Sequence, residues 1–155
     1  YGVVGDQLEA VASTPFIGRA NRWLNPLGVG DFDGDGHLDI ALVATPHIGG
    51  ILRLYRLSDS KLVQYAEHYG VSTHKIGSLN LGLGRVVKGS PKDLLLVPNQ
   101  PHNALYLLEW TPRGIGKIAE VSLKGRLKSS LIQTRGNHWR FQLENGDMFE
   151  LTLKN

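Results

Sequence analysis

Apolar residues in this chain fall in short runs separated by turn residues, and the runs set the fold class before any single residue does. "LDIALVA" at 38–44, "GILRLYRL" at 50–57, "KLVQYAEHY" at 61–69, "DLLLVP" at 93–98, "NALYLLEW" at 103–110 and "GKIAEVSL" at 116–123 are rich in branched or aromatic residues and bounded by Gly, Pro, Asn, Asp or Ser. "HWRFQLENGDMFELTL" alternates on both sides of Asn145–Gly146, a dipeptide suited to the positive φ angles of a two-residue hairpin turn. Helical spacing is weak throughout. The pattern predicts an all-β, antiparallel chain.

A shift of 54 residues lays "LGVGDFDGDGHLDIALV" (27–43) over "LGLGRVVKGSPKDLLLV" (81–97), bringing Leu27, Gly28, Gly30, Asp39, Leu42 and Val43 onto Leu81, Gly82, Gly84, Asp93, Leu96 and Val97. Each copy contains about four strands, the size of a β-propeller blade. On this reading residues 1–13 end a preceding blade, 24–70 form one blade, 79–123 form a degenerate second, and 130–153 form a partial third. Propellers close with about 4–8 blades, so the chain is expected to be a fragment of a larger propeller.

Composition narrows the class further. Of the 155 residues 41% are hydrophobic and 20% charged, with 19 glycines and 7 prolines, as short strands and tight turns require. No apolar stretch approaches the ~20 residues of a membrane-spanning helix. The sequence starts at Tyr1 without signal-peptide character and reads as a cut or processed chain. The absence of cysteine excludes disulfides, thiolate metal sites and a cysteine nucleophile. The net charge is +3, with 6 Lys/Arg against 8 Asp/Glu in residues 1–80 and 11 against 6 in residues 81–155. The basic residues are scattered, which reads as a solvated face and not as a nucleic-acid surface.

The candidate chemistry lies in Asp-Phe-Asp-Gly-Asp-Gly-His-Leu-Asp, residues 31–39. Carboxylates at alternate positions converge only if the backbone curls sharply, and Gly34 and Gly36 permit that curl. A hard cation supplies the reason to converge. Calcium takes roughly 6–8 oxygen ligands, which Asp31, Asp33, Asp35, the backbone carbonyl of His37 and Asp39 largely provide. Without a cation, unit charges ~4 Å apart repel by about 1 kcal/mol in water and about 4 kcal/mol at an intermediate dielectric. The loop is not an EF-hand, because Leu42 stands where the bidentate glutamate belongs and a strand follows where a helix should.

"VGDFDGDGHLDIALVATPHIGGILRLYRL" resembles an FG-GAP or VCBS-type repeat, the calcium-binding blade unit of the integrin α-subunit propeller and of many secreted bacterial proteins. The resemblance implies a Ca2+ ion between two blade strands, held by Asp31, Asp33, Asp35, His37 and Asp39. It further implies a scaffold or adhesion surface for a protein or glycan partner, and an extracellular, cell-surface or periplasmic setting. In the second copy Arg85, Val87 and Gly89 replace the first three acids and only Asp93 remains, so one metal site is expected. Arg85 or Lys88 is then placed to pair with Asp93.

Other chemistry is sparse. His47 and His102 occupy similar places in the two copies, and His68 and His74 lie six apart, yet no zinc motif joins them. No serine-nucleophile elbow or phosphate-binding loop occurs. Trp23, Trp110 and Trp139, with Tyr55, Tyr65 and Tyr106, read as packing residues more than as a recognition face. The expected function is therefore a non-catalytic calcium-binding interaction module. The alternative is part of a propeller hydrolase or lyase whose active site lies largely outside this chain.

Overall fold

The computed structural model describes residues 1–16 and 22–153, which form thirteen strands and no helix. A short hairpin of β1 (Gly2–Val4) and β2 (Gln7–Glu9) opens the chain. A first four-stranded sheet follows, with β3 (Leu24–Gly30), β4 (Asp39–Ala44), β5 (Ile51–Ser58) and β6 (Lys61–Tyr69) in sequence order. The second sheet repeats that order with β7 (Arg85–Val87), β8 (Leu94–Pro98), β9 (Ala104–Thr111) and β10 (Gly114–Ser122). The third contains β11 (Ile132–Arg135), β12 (His138–Gln142) and β13 (Met148–Thr152). All pairings are antiparallel, and the described residues form no closed barrel or ring.

The continuous apolar run of β4 is a strand covered on both faces. Ala41 and Val43 face the second sheet in a core with Leu52, Leu54, Leu95, Val97 and Leu108, while Leu42 and Ala44 pack with Tyr55 on the opposite face. The second sheet is covered on both faces too. On its far side Leu83, Leu96 and Leu105 meet Leu127, Leu131, Trp139, Phe141 and Leu143, all at most 3% exposed. Alternation in β12 then turns Arg140 outward, where it pairs with Glu150 of β13 at 2.9 Å on a face that also exposes Ile132 and Met148.

The first two sheets stack like on like, with β3 against β7 and β6 against β10. Glycine sets the closeness of the first contact. A Cβ at Gly28 would stand 3.0 Å from Val86 Cγ2, and one at Gly84 would stand 2.6 Å from Leu27 Cδ1. The connecting segments bind across as well: Val71 bridges Asn99, and Leu127 bridges Leu143. Buried Asn25 of β3 donates from Nδ2 to Thr73 Oγ1 at 2.8 Å, anchoring the link between the sheets.

The hairpin expected at Asn145–Gly146 is present with a longer turn than the dipeptide suggests. β12 ends at Gln142 and β13 starts at Met148, because Leu143 is drawn into the core opposite Leu127 and Asn145 Oδ1 accepts the Asp147 N–H at 3.1 Å. The outermost strands β6 and β10 are largely exposed and carry Glu67, Lys117 and Glu120, which keeps these sheet edges polar.

Candidate metal centre

The aspartate loop joins β3 to β4 at one end of the first sheet, and Phe32 roots it in the inter-sheet core with no exposed surface. Gly34 and Gly36 take φ of 80° and 85°, which side chains with a Cβ rarely adopt. The chain therefore curls around its own carboxylates. Asp31 accepts the Gly34 N–H at 2.7 Å and the Gly36 N–H at 2.9 Å; Asp33 accepts from Asp35, and Asp35 from His37 at 2.8 Å.

This curl brings one carboxylate oxygen each from Asp31, Asp33 and Asp35 within 4.8 Å of one another. Oxygens on opposite sides of a calcium ion, each roughly 2.3–2.6 Å from it, lie roughly 4.6–5.2 Å apart. Three oxygens this close, with no nitrogen or sulfur among them, could hold a hard cation. His37 keeps its imidazole 83% exposed and 3.3 Å from Asp35, and its amide serves the same carboxylate.

Asp39 stands apart from the trio. It is fully buried at the root of β4, where Tyr65 donates to Oδ2 at 2.6 Å and Arg56 Nε lies 3.5 Å from Oδ1. A bulge between β5 and β6 leaves Tyr65 without a partner in the ladder and frees it for this role. Burial pushes the Asp39 carboxyl above its usual range, against the pull of Tyr65 and Arg56.

Arg56, from β5, is the residue the sequence did not announce. Its guanidinium bonds Asp33, lies 3.4 Å from Asp35 and reaches Asp39, and it sits over the Tyr65 ring at 5.0 Å from the centroid. One side-chain cation is thus shared by three of the four acids. The Asp33 hydrogen bond, with the charges of Asp33, Asp39 and Asp35, raises the Arg56 pKa. Asp35 is held below its usual range by the His37 N–H first and by Arg56 after it.

The degenerate copy meets this loop directly. Asp93 Oδ2 accepts the Asp31 N–H at 3.0 Å, and the Asp31 carbonyl accepts the Asp93 N–H at 2.7 Å. Of the two cations expected to pair with Asp93, Lys88 does so at 2.6 Å, whereas Arg85 turns its Nη1 to the Gly84 carbonyl. Burial alone would raise the Asp93 carboxyl; Lys88 and the N–H groups of Gly89 and Asp31 reverse this and leave it lowered.

Among the described residues no other group of three acids or histidines has metal-ligand spacing. His68 donates to the Ile115 carbonyl at 3.1 Å, away from His74. Trp139 and Tyr55 are buried and Trp110 packs edge-on to Tyr65, as packing aromatics do, while Trp23 stays 40% exposed beside His74. No family model matches this chain, and no curated protein matches it.

Proposed function

We propose that this chain is a non-catalytic calcium-binding module of β-propeller-repeat type, acting as a scaffold or interaction surface. The convergence of Asp31, Asp33 and Asp35 within 4.8 Å carries the reading. Those three carboxylates would hold the ion, with Asp39 behind them, and the ion would supply a fixed double positive charge that locks the β3–β4 loop. The blade reading is supported by two four-stranded meanders of identical order, stacked first strand to first strand and last to last.

The loop also touches the second sheet through Asp93, so an ion bound in it would stiffen the junction between the sheets as well as one turn. Extracellular modules bind calcium at roughly 10⁻⁴–10⁻³ M, and an affinity in that range fits a setting outside the cytosol.

The test is a calcium titration of chelator-treated protein by calorimetry, with melting followed in parallel. Calcium raises the melting temperature of the native chain by mass action, and the Asp33→Ala/Asp35→Ala double variant loses both the heat and the shift. A calcium response that survives in the double variant refutes the site.

A further inference from the structure

The first two of the larger sheets have four strands each and the third has three, in which β13 pairs with β12 alone. The Leu153 N–H binds the Asn137 carbonyl at 3.0 Å, and alternation along an antiparallel ladder turns the backbone groups of Phe149 and Leu151 toward β12 as well. Those of Met148, Glu150 and Thr152 therefore face the open side, where they have no backbone partner among the described residues. An unpaired edge of this kind is a template for another strand.

Beside that edge the third sheet stops short of β10. One side of β10 packs on β6, but on its other side Ala119 and Val121 are exposed, across the ladder from Leu107 and Leu105. A bulge at Ile118 leaves that side chain exposed too. The result is an apolar groove. One half, of about 330 Å³, is lined by Leu105, Leu107, Ala119, Val121, Leu151 and Leu153, and the other, of about 610 Å³, runs past Leu107 and Leu153 to Leu94 and Ile118. The groove prolongs the contact that Leu94, Leu107, Leu151 and Leu153 already make between the second and third sheets. It lies where a fourth strand beside β13 would cover β10.

The chain also carries a ribbon with the complementary need. β1 and β2 pair with each other and make no substantial contact with any other strand. Val3 and Leu8 are cross-strand partners, so Tyr1, Val3 and Leu8 share one face, and they are 85%, 75% and 70% exposed. Val11 lies against the reverse face, where a Cβ at Gly2 would stand 3.0 Å from its Cγ1. A two-stranded ribbon on its own is marginal in water, and this one leaves its apolar face uncovered.

We propose that the β1–β2 ribbon of a second copy of this chain seats in the groove, extending the third sheet from the β13 edge and laying Tyr1, Val3 and Leu8 on Leu107, Ala119 and Val121. The lengths agree: the open positions from Met148 to Thr152 span roughly 13 Å, and Tyr1 to Val4 spans roughly 10 Å. The chain's own ribbon is badly placed for this seat. Pro15 and Phe16, which follow it, lie beside Tyr55 and Leu62 on the outer face of the first sheet, and the groove is on the far face of the second, with stacked sheets about 10 Å apart. Because the contact joins two different surfaces, every copy offers a free groove and a free ribbon to the next, and assembly continues to a ring or an open chain.

The test is sedimentation of the full chain in chelator across roughly 1 μM to 1 mM, so that calcium takes no part and failure here is distinct from failure of the metal reading. The native chain is expected to associate with rising concentration. Val3→Glu/Leu8→Glu disables the ribbon and Ala119→Glu/Val121→Glu disables the groove; all four residues are exposed, so both variants should melt as the native chain does. Each should weaken association about tenfold or more. Mixed in equal amounts, the two variants still hold one sound ribbon and one sound groove between them and should form a dimer and nothing larger. A native chain that stays monomeric throughout, as it would if the ribbon folded into its own groove, overturns the proposal. So does association undiminished in either variant, or a mixture no larger than its parts.

Discussion

Replacing Arg56 with Met should move calcium affinity and ion-free stability in opposite directions. Methionine keeps most of the buried stem and removes only the charge. In the native chain that charge lies 3.4 Å from Asp35 and 3.5 Å from Asp39 and is bonded to Asp33. At an effective dielectric of ~20, each such pair attracts by about 4–5 kcal/mol. The Arg56 side chain is 36% exposed, however, so solvent screening and desolvation cancel most of this and leave about 1–2 kcal/mol net.

In chelator the variant should therefore melt about 2–8 °C below the native chain. Calcium entering the native loop has to displace that guanidinium, whereas in the variant it meets free carboxylates, so its affinity should rise about 5- to 30-fold. Calorimetric titration of chelator-treated protein, paired with melts with and without calcium, reads both quantities. Unchanged or weaker calcium binding by Arg56→Met, with an unaltered melt in chelator, would refute the view that this arginine is the resident counter-charge of the loop.

Three further outcomes follow from the packing. Gly50→Ala would place a Cβ 1.9 Å from the Val71 carbonyl oxygen, at the junction where Gly50 also binds Gln100, and should cost about 1–3 kcal/mol in a denaturant midpoint. Asp93→Ala strips acceptors from the Asp31 and Gly89 N–H groups and should lose about 2–3 kcal/mol and weaken calcium binding, while Lys88→Met, whose side chain is 72% exposed, should lose under about 1 kcal/mol. The His102 pKa is lowered from 6.5 to about 4, so the unfolded chain takes its proton first; stability is full above pH 6.5 and falls toward pH 4 by up to about 3 kcal/mol, a slope that His102→Gln should flatten in urea titrations across that range.

The long apolar runs gave away β4 to β6 and β8 to β10, because strands covered on one or both faces must be apolar at their buried positions. β3 and β7 were not legible as strands. "LNPLGVG" looks like a loop, yet Gly28 is there because the strand runs too close to Val86 of β7 for a side chain, and Gly30 because Asp93 and Phe32 crowd it, constraints set largely by another sheet. β11 was hidden for the opposite reason, since all four of its residues are exposed. In the loop, the trio of acids was readable from spacing, because its residues are local. Arg56 and Tyr65 were not, lying 17 and 26 positions beyond Asp39, and only the β5 register and the β5–β6 bulge bring them back to it.

The acid at the ninth loop position survives in both copies, and the structure gives it a task separate from the rest of the loop. Asp39 and Asp93 stand at or just before the start of β4 and β8, both buried, and each has a basic partner, Arg56 for one and Lys88 for the other. Asp93 does this with no acidic trio in its own loop, where Lys88 and the N–H groups of Gly89 and Asp31 fix its position. Asp39 should then matter in chelator, where Asp35 should not. Asp39→Ala leaves the Tyr65 hydroxyl without its acceptor in the interior and takes a charge from Arg56, which should cost about 2–4 kcal/mol. Asp35 is exposed, and its removal forfeits a local turn bond to His37 and one screened ion pair with Arg56, which keeps Asp33 and Asp39, so Asp35→Ala should lose under about 1 kcal/mol without calcium while losing much of the calcium response. Urea titrations of both variants in chelator decide the point: equal losses would mean that the ninth acid is only another loop carboxylate, and that its place at the root of the strand has no separate consequence.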